Sequence, residues 1–159
     1  MDSGVRTIAT ANLSVSHMLP SDFQLRPLSP DDYGGVLALW NTCEGVRANE
    51  TREEFDRILE RNPGLSGVIR QGDELAAAVL CCHDGRRGYL YHLGVAPQFR
   101  KLSLGRVLVE HSLAQLQALG IRRCTIFLIA DNKPGEAFWT RTGWRERTDL
   151  KAFARDLAP

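Results

Sequence analysis

The sequence contains no run of eighteen apolar residues, which leaves nothing long and apolar enough for a transmembrane helix. Its first twenty residues lack the basic start and long apolar stretch of a secretory signal, and the expected setting is the cytoplasm. Charge of one sign is missing too. Twenty Lys and Arg stand against 19 Asp and Glu, interspersed, for a net charge of +1. That balance argues against a global field able to hold nucleic acid or an anionic membrane, so neither is expected as a partner. The four cysteines, Cys43, Cys81, Cys82 and Cys124, form no C-x-x-C pair and have no histidine at finger-like spacing. No metal site is therefore expected, and the thiols read as reduced and mostly buried. Internal repeats and low-complexity linkers are absent as well.

What is present is a globular balance, 43% hydrophobic and 25% charged over 159 residues, which suits one domain with one core. Residues 1–21 are polar, small and aperiodic and read as a tail or arm, leaving 22–159 as the folded domain. A short alternating run from Phe23 to Pro27 predicts a first strand. Ser29-Pro30-Asp31-Asp32 supplies an N-cap, a proline and early acids for a helix to about Trp40. Thr51-Arg52-Glu53-Glu54 is a capping box opening a second helix that stops before Asn62-Pro63-Gly64.

Three strands follow as a meander: Ser66 to Arg70, Leu75 to Cys82 and Arg87 to Val95. After Pro97 the period changes, and Leu104, Leu108, Val109, Leu113 and Leu116 define the longest helix, up to Gly120. Thr125 to Ile129 suits a covered strand, Pro134 to Thr142 a short helix, and strand-like segments lie near Trp144 to Arg147 and Leu150 to Ala154. The class is α/β of the α+β kind, with a mixed sheet of six to seven strands flanked by helices.

The chemistry concentrates in Leu93-Gly94-Val95-Ala96-Pro97-Gln98-Phe99-Arg100-Lys101-Leu102-Ser103-Leu104-Gly105-Arg106. A strand ends, a proline breaks it, and a basic turn leads into a strong helix. The first backbone N–H groups of a helix lack intrahelical partners and sit at the positive end of its dipole, which suits an anion such as pyrophosphate. Arg100, Lys101 and Arg106 add charge there. The segment is neither a Walker loop nor a dinucleotide fingerprint.

Val95-x-Pro97-x-x-Arg100-x-x-Ser103-x-Gly105-Arg106-x-Leu108 resembles the acetyl-CoA motif of GNAT acetyltransferases, V-x-P-x-x-R-G-x-G-x-G-R/K-x-L. Lys101 and Ser103 stand where glycines are usual. Asn132-x-x-Gly135-x-x-Phe138-Trp139-x-x-x-Gly143-Trp144 is similar to the family's later N-x-x-A-x-x-F/L-Y-x-x-x-G-F. The likeness is strong from Asp84 to Trp144. It implies a GNAT fold whose central strands splay apart around acetyl-CoA, and transfer of its acetyl group to a primary amine. Within it, Leu93, Gly94 and Val95 would meet the pantetheine arm and thioester, and the stretch Arg100, Lys101, Leu102, Ser103, Leu104, Gly105, Arg106 the pyrophosphate. Asn132 would contact the arm or position the splayed strand, with Phe138 and Trp139 at the cofactor wall. Homodimers are frequent in that superfamily.

An acceptor ammonium, with a pKa of about 10, must lose a proton before attack. Tyr89 and Tyr91 fall where relatives carry catalytic or water-ordering residues, and they are assigned to acceptor or water. His92 has the better pKa for a base, but strand alternation turns it to the opposite face unless a bulge re-aims it. Phe127 replaces a glutamate common on the next strand, and Trp139 replaces a tyrosine that commonly protonates the leaving thiolate. Two readings result: an enzyme working through water and donors such as Tyr91, or a non-catalytic acyl-CoA-binding sensor. The acceptor side is expected from the first helices and their connection, chiefly Trp40 and Glu44, with Arg47, Glu50 and Glu53 as further candidates.

Overall fold

The computed structural model describes residue 15 and residues 17–157, so most of the expected arm over 1–21 lies outside the described residues. The chain divides into two compact units, one ending at Phe127 and one beginning at Leu128.

In the first unit, β1 (Phe23–Pro27) leads through a single 3-10 turn, Pro30–Asp32, into α1 (Tyr33–Thr42). The tight turn forms because the Asp32 carboxylate accepts from Ser29 N–H at 2.9 Å. Both its oxygens are also gripped by Arg26 of β1 at 2.7 Å. Asp32 is 3% exposed. Burial alone would push its carboxyl up, yet hydrogen bonds from Arg26, Ser29 and Arg70 hold it well below the usual carboxylate range. Helix α2 (Arg52–Arg61) opens on the expected capping box: Thr51 Oγ1 accepts from Glu54 N–H at 3.2 Å, and Glu54 Oε2 accepts from Thr51 N–H at 2.7 Å.

The sheet order is β1-β2-β3-β4-β5, with β2 Gly67–Gln71, β3 Glu74–His83, β4 Gly88–Val95 and β5 Cys124–Ile126. The first four strands pair antiparallel, and β5 joins β4 in parallel. Residues Ala76 to Cys81 of β3 are all buried, because this central strand is covered on both faces. Helix α3 (Leu104–Ala118) lies on one face: a Cβ at Gly67 or Gly88 would press on Leu108 or Leu116 of that helix. Helix α1 lies on the other, where Trp40 donates from Nε1 to the Ala78 carbonyl at 3.2 Å.

The second unit holds α4 (Lys133–Arg141). Its end is a Schellman motif, with Trp144 N–H on the Trp139 carbonyl at 3.0 Å and Gly143 at φ 91°. The expected count of six to seven strands is corrected here to five among the described residues. The segments near Trp144–Arg147 and Leu150–Ala154 form no strand. Leu150 N–H bonds the Arg147 carbonyl at 3.2 Å, and Arg147 clamps Asp149 twice at 2.8 Å. A local turn thus interrupts the alternation, which without a pairing strand supplies propensity alone.

Candidate active site

The alternation of β4 breaks at His92. Ala78 pairs with Gly94 and Leu80 with Tyr91, so Val79 is opposed by two residues, His92 and Leu93. This is a β-bulge, with His92 at φ 53°. The extra residue inverts the facing of the strand beyond it. A Cβ at Gly88 would strike Leu116 of α3 at 2.5 Å, whereas one at Gly94, six residues on, would strike Trp40 at 2.9 Å and Cys43 at 3.0 Å, on the α1 side. Without the bulge, positions 88 and 94 would share a face. His92 is therefore carried to the α1 side, its ring 5.2 Å from Trp40 and 6.3 Å from Tyr91.

There it meets an acid. His92 Nε2 lies 2.6 Å from Glu50 Oε1, with the two side chains 12% and 21% exposed. Glu50 is held just ahead of the capping box of α2, and its backbone carbonyl accepts from the Tyr33 hydroxyl at 2.9 Å. Burial pushes its carboxyl up, but the hydrogen bond and charge of His92, with help from nearby backbone amides, outweigh that and hold it low. An ionised carboxylate only accepts, so Nε2 carries the proton of the pair and Nδ1 is the nitrogen left to act as a base. Glu50 Oε2 is buried with no hydrogen-bond partner among the described residues.

Tyr89 and Tyr91 stay on the α1 face. Their rings are 6.3 Å apart, and Phe127 stands 6.3 Å beyond Tyr89. The Tyr89 hydroxyl donates to Asp84 at 3.2 Å. Burial, reinforced by Cys82, Tyr89 and Cys124, pushes the Tyr91 phenol up, so it is protonated at neutral pH. Of the two expected acceptor residues, Trp40 requires correction. At 1% exposed, it braces Gly94 and His92 from beneath and offers no surface to a ligand. Glu44 is exposed in the connection between α1 and α2. Glu50 figured in the sequence only as one acid among several near a possible cleft. Its pairing across 42 residues depends on the bulge, which no local signal announces.

Past the bulge, β4 outruns its neighbour. Pairing with β5 stops at Leu90 and Ile126, so Tyr91 to Val95 have no strand partner on that side among the described residues. Ala96 N–H bonds the Ala76 carbonyl of β3 at 2.8 Å. By the alternation of an antiparallel ladder, Val95 and Leu93 then aim their N–H and C=O groups away from β3, the Val95 carbonyl accepting from Cys43 Sγ at 3.8 Å. Gly94 aims its own at β3, and its missing side chain makes room for Trp40 and Cys43. The expected strand over Thr125–Ile129 is shorter in the structure, β5 ending at Ile126.

The basic turn begins with a 3-10 turn, Pro97–Phe99, anchored by Phe99, which is buried edge-on against Phe23 at 5.5 Å. Arg100, Lys101, Leu102, Ser103 and Arg106 are exposed, while Leu104 and Gly105 are buried. Among the described residues, the N–H groups of Lys101, Leu102 and Ser103 have no hydrogen-bond partner. Those of Leu104, Gly105 and Arg106 open α3 and have none along the helix. Ser103 is the N-cap yet makes no side-chain capping bond. Lys101 and Ser103, the two replacements for family glycines, sit at φ 64° and 62°, the left-handed region that glycine favours. The cradle keeps the glycine backbone and adds a cation and a hydroxyl to its rim.

In the second unit Asn132 caps α4, its Oδ1 accepting from Gly135 N–H at 2.9 Å. Trp139 packs edge-on against Phe138 at 5.0 Å and Trp144 at 4.9 Å, a cluster that braces the helix end. A cavity of about 320 Å³ lined by Leu28, Leu59, Asn62 and Gly64, among others, shares no residue with the His92 pair, the open strand edge or the basic turn. Among the described residues no group of three or more His, Cys, Asp or Glu is arranged to hold a metal ion, and no helix is long and apolar enough to cross a membrane.

Residues 33–144 match the acetyltransferase (GNAT) family. The chain is 30% identical over 110 residues to an acetyltransferase of Pectobacterium atrosepticum, covering 69% of this chain and 78% of that one. Its fold is similar to the crystal structure of an acetyltransferase from Streptococcus agalactiae, with a TM-score of 0.69 at 15% identity, covering 88% and 93% of the two chains. It is also similar to glucosamine-6-phosphate N-acetyltransferase from Arabidopsis thaliana, with a TM-score of 0.61 at 24% identity over 84% and 99%. With the family matched from residue 33 to residue 144, a span that includes β4 and the basic turn, the chain belongs to the GNAT family of acetyl-CoA-dependent acetyltransferases.

Proposed function

We propose that this acetyltransferase acts on a primary amine by direct attack, with His92 as the general base and Glu50 as the residue that positions it. The observation that carries the reading is the bulge, which brings His92 onto Glu50 at 2.6 Å beside the unpaired end of β4. Acetyl-CoA supplies an acetyl group already activated as a thioester, together with an anionic pyrophosphate.

The turn fits that anion, since unpartnered amides from Lys101 to Arg106 and the charges of Arg100, Lys101 and Arg106 line one exposed bend. Leu93 and the N–H of Val95, on the side of β4 away from β3, suit the pantetheine arm, and the Val95 N–H would polarise its thioester carbonyl. His92 Nδ1 takes the proton of the acceptor ammonium. Glu50 holds Nε2–H and offsets the charge that forms on the ring. His92 then carries a proton that the departing thiol requires, and Tyr91, protonated throughout, is a donor for ordering acceptor or water.

The exposed Phe127, in a position where many relatives hold an acid, favours a second reading: a domain that binds acyl-CoA without turning it over. One experiment separates the two. Free thiol released from acetyl-CoA is followed across a panel of primary amines, for the native chain and for His92→Ala. Release that depends on the amine and falls by about 10²- to 10⁴-fold in the variant supports catalysis by His92. Tight acetyl-CoA binding with no amine-dependent release establishes the second reading instead.

A further inference from the structure

The proposed base stands at one end of a row of rings. From His92 the row runs through Tyr91 at 6.3 Å, Tyr89 at a further 6.3 Å and Phe127 at 6.3 Å again. The last three are close to parallel, with interplanar angles of 23° and 9°. The alignment comes from register. Tyr89 pairs with Thr125, so Phe127, two residues on, shares the face of Tyr89 and Tyr91.

The Asp84 carboxylate fixes the far end of Tyr89, itself held by the amides of Arg86 and Arg87 at 2.8 and 2.7 Å. Phe127 remains 63% exposed in spite of its ring contact. Aligned rings beside a proposed base, ending in the exposed Phe127, give a flat aromatic group something to stack along. The polar features sit at the opposite end. Glu50, held ionised by His92, sets a negative charge behind the imidazole, which favours a cation at this end.

Resting on the transferase reading, we infer that the acceptor is a small arylalkylamine. Its ammonium meets His92 Nδ1, with the Glu50 charge behind the imidazole, and its ring lies along Tyr91, Tyr89 and Phe127. A linker of about two or three atoms spans the distance from the base to the first ring. The row suits other amines poorly. An amino sugar needs several hydrogen-bonding groups, and here the Tyr89 hydroxyl is already engaged by Asp84. For a polyamine the second acid on the row, Asp84, is already taken by the Tyr89 hydroxyl and the amides of Arg86 and Arg87.

The test compares 2-phenylethylamine with hexylamine, putrescine, glucosamine and a peptide with an N-terminal phenylalanine, at saturating acetyl-CoA, for the full chain and Phe127→Ala. Binding of 2-phenylethylamine to the CoA-loaded protein is followed in parallel by saturation-transfer NMR. The expected result is a kcat/KM for 2-phenylethylamine at least about 10-fold above the other amines. Phe127→Ala should remove that preference through KM and weaken the NMR signal.

Equal rates for ring-bearing and alkyl amines, a preference untouched by Phe127→Ala, or acetylation confined to the peptide would overturn the inference while leaving the transferase reading intact. Turnover of no amine, with ring binding still dependent on Phe127, would instead remove the transferase reading and keep the ring site. Absence of both turnover and binding would remove the ring site.

Discussion

Glu50→Gln separates charge from shape at the proposed base. Glutamine keeps a carbonyl oxygen where Oε1 accepts from His92, so the 2.6 Å contact and the ring orientation are retained while the negative charge is lost. Tyr33 bonds the backbone carbonyl of residue 50 and not its side chain, so the support of this connection also survives. What disappears is the stabilisation of the charge that forms on the ring as it accepts a proton. A hydrogen bond to a charged group is worth about 1.5–3 kcal/mol. At about 1.4 kcal/mol per factor of ten, the loss in kcat is about 10- to 150-fold. With the side chains 12% and 21% exposed, solvent screens part of the charge, and about 30-fold is the expected value.

The assay is initial thiol release at saturating acetyl-CoA and acceptor, with KM for acetyl-CoA measured alongside. That KM should not change, because Glu50 is remote from the basic turn in the proposed division of labour. An acceptor amine already neutral at the assay pH needs no base, and with it the defect should shrink toward none. A loss in kcat under about 3-fold, or an equal loss with a neutral amine, would refute the role of the pair.

Asp32→Asn should destabilise the fold by about 3 kcal/mol, since it uncouples a buried carboxylate from Arg26, read as a lowered midpoint in urea. Because the folded carboxyl is held below its unfolded value, its contribution is complete above about pH 4 and is lost as pH falls toward the folded value. The gap between native and variant should therefore close on acidification, and a gap that widens would contradict the account. Ser103→Gly relieves a left-handed backbone costing about 1 kcal/mol, part of which glycine returns through unfolded-state entropy. A net gain of about 0.5 kcal/mol in urea denaturation is expected, and a loss would show that the serine is needed where it stands. Burial pushes the Cys82 and Cys124 thiols up to about 11. At pH 8 both should react with iodoacetamide about 100-fold more slowly than an exposed thiol, followed by mass spectrometry, and rapid labelling would contradict that burial.

The sequence carried those parts of the fold that rest on local chemistry. The Thr51–Glu54 box, Pro97 ahead of α3 and the apolar period of that helix each name a boundary within a few residues, and each stands in the structure. The segments after Trp144 show the limit. Their alternation resembles a strand, but a strand needs a partner, and the Arg147–Asp149 clamp takes the chain into a turn instead. The site divides in the same way. The basic turn is contiguous and was legible, as was the oddity of Lys101 and Ser103 at glycine positions. The His92–Glu50 pair was not, because it depends on one unpaired residue in a ladder where Val79 faces two neighbours. Alternation counted along β4 alone puts the imidazole on the wrong face.

The central claim is that acetyl-CoA lays its pyrophosphate on the free amides of the turn, with its thioester beside the unpaired end of β4. Amide hydrogen exchange, measured residue by residue with and without CoA, tests this most directly. The account predicts slowed exchange at Lys101 to Arg106 and at Val95, weakened together when Arg100 and Arg106 are both changed to Ala. CoA that binds tightly while those amides exchange as fast as in the free protein would contradict it.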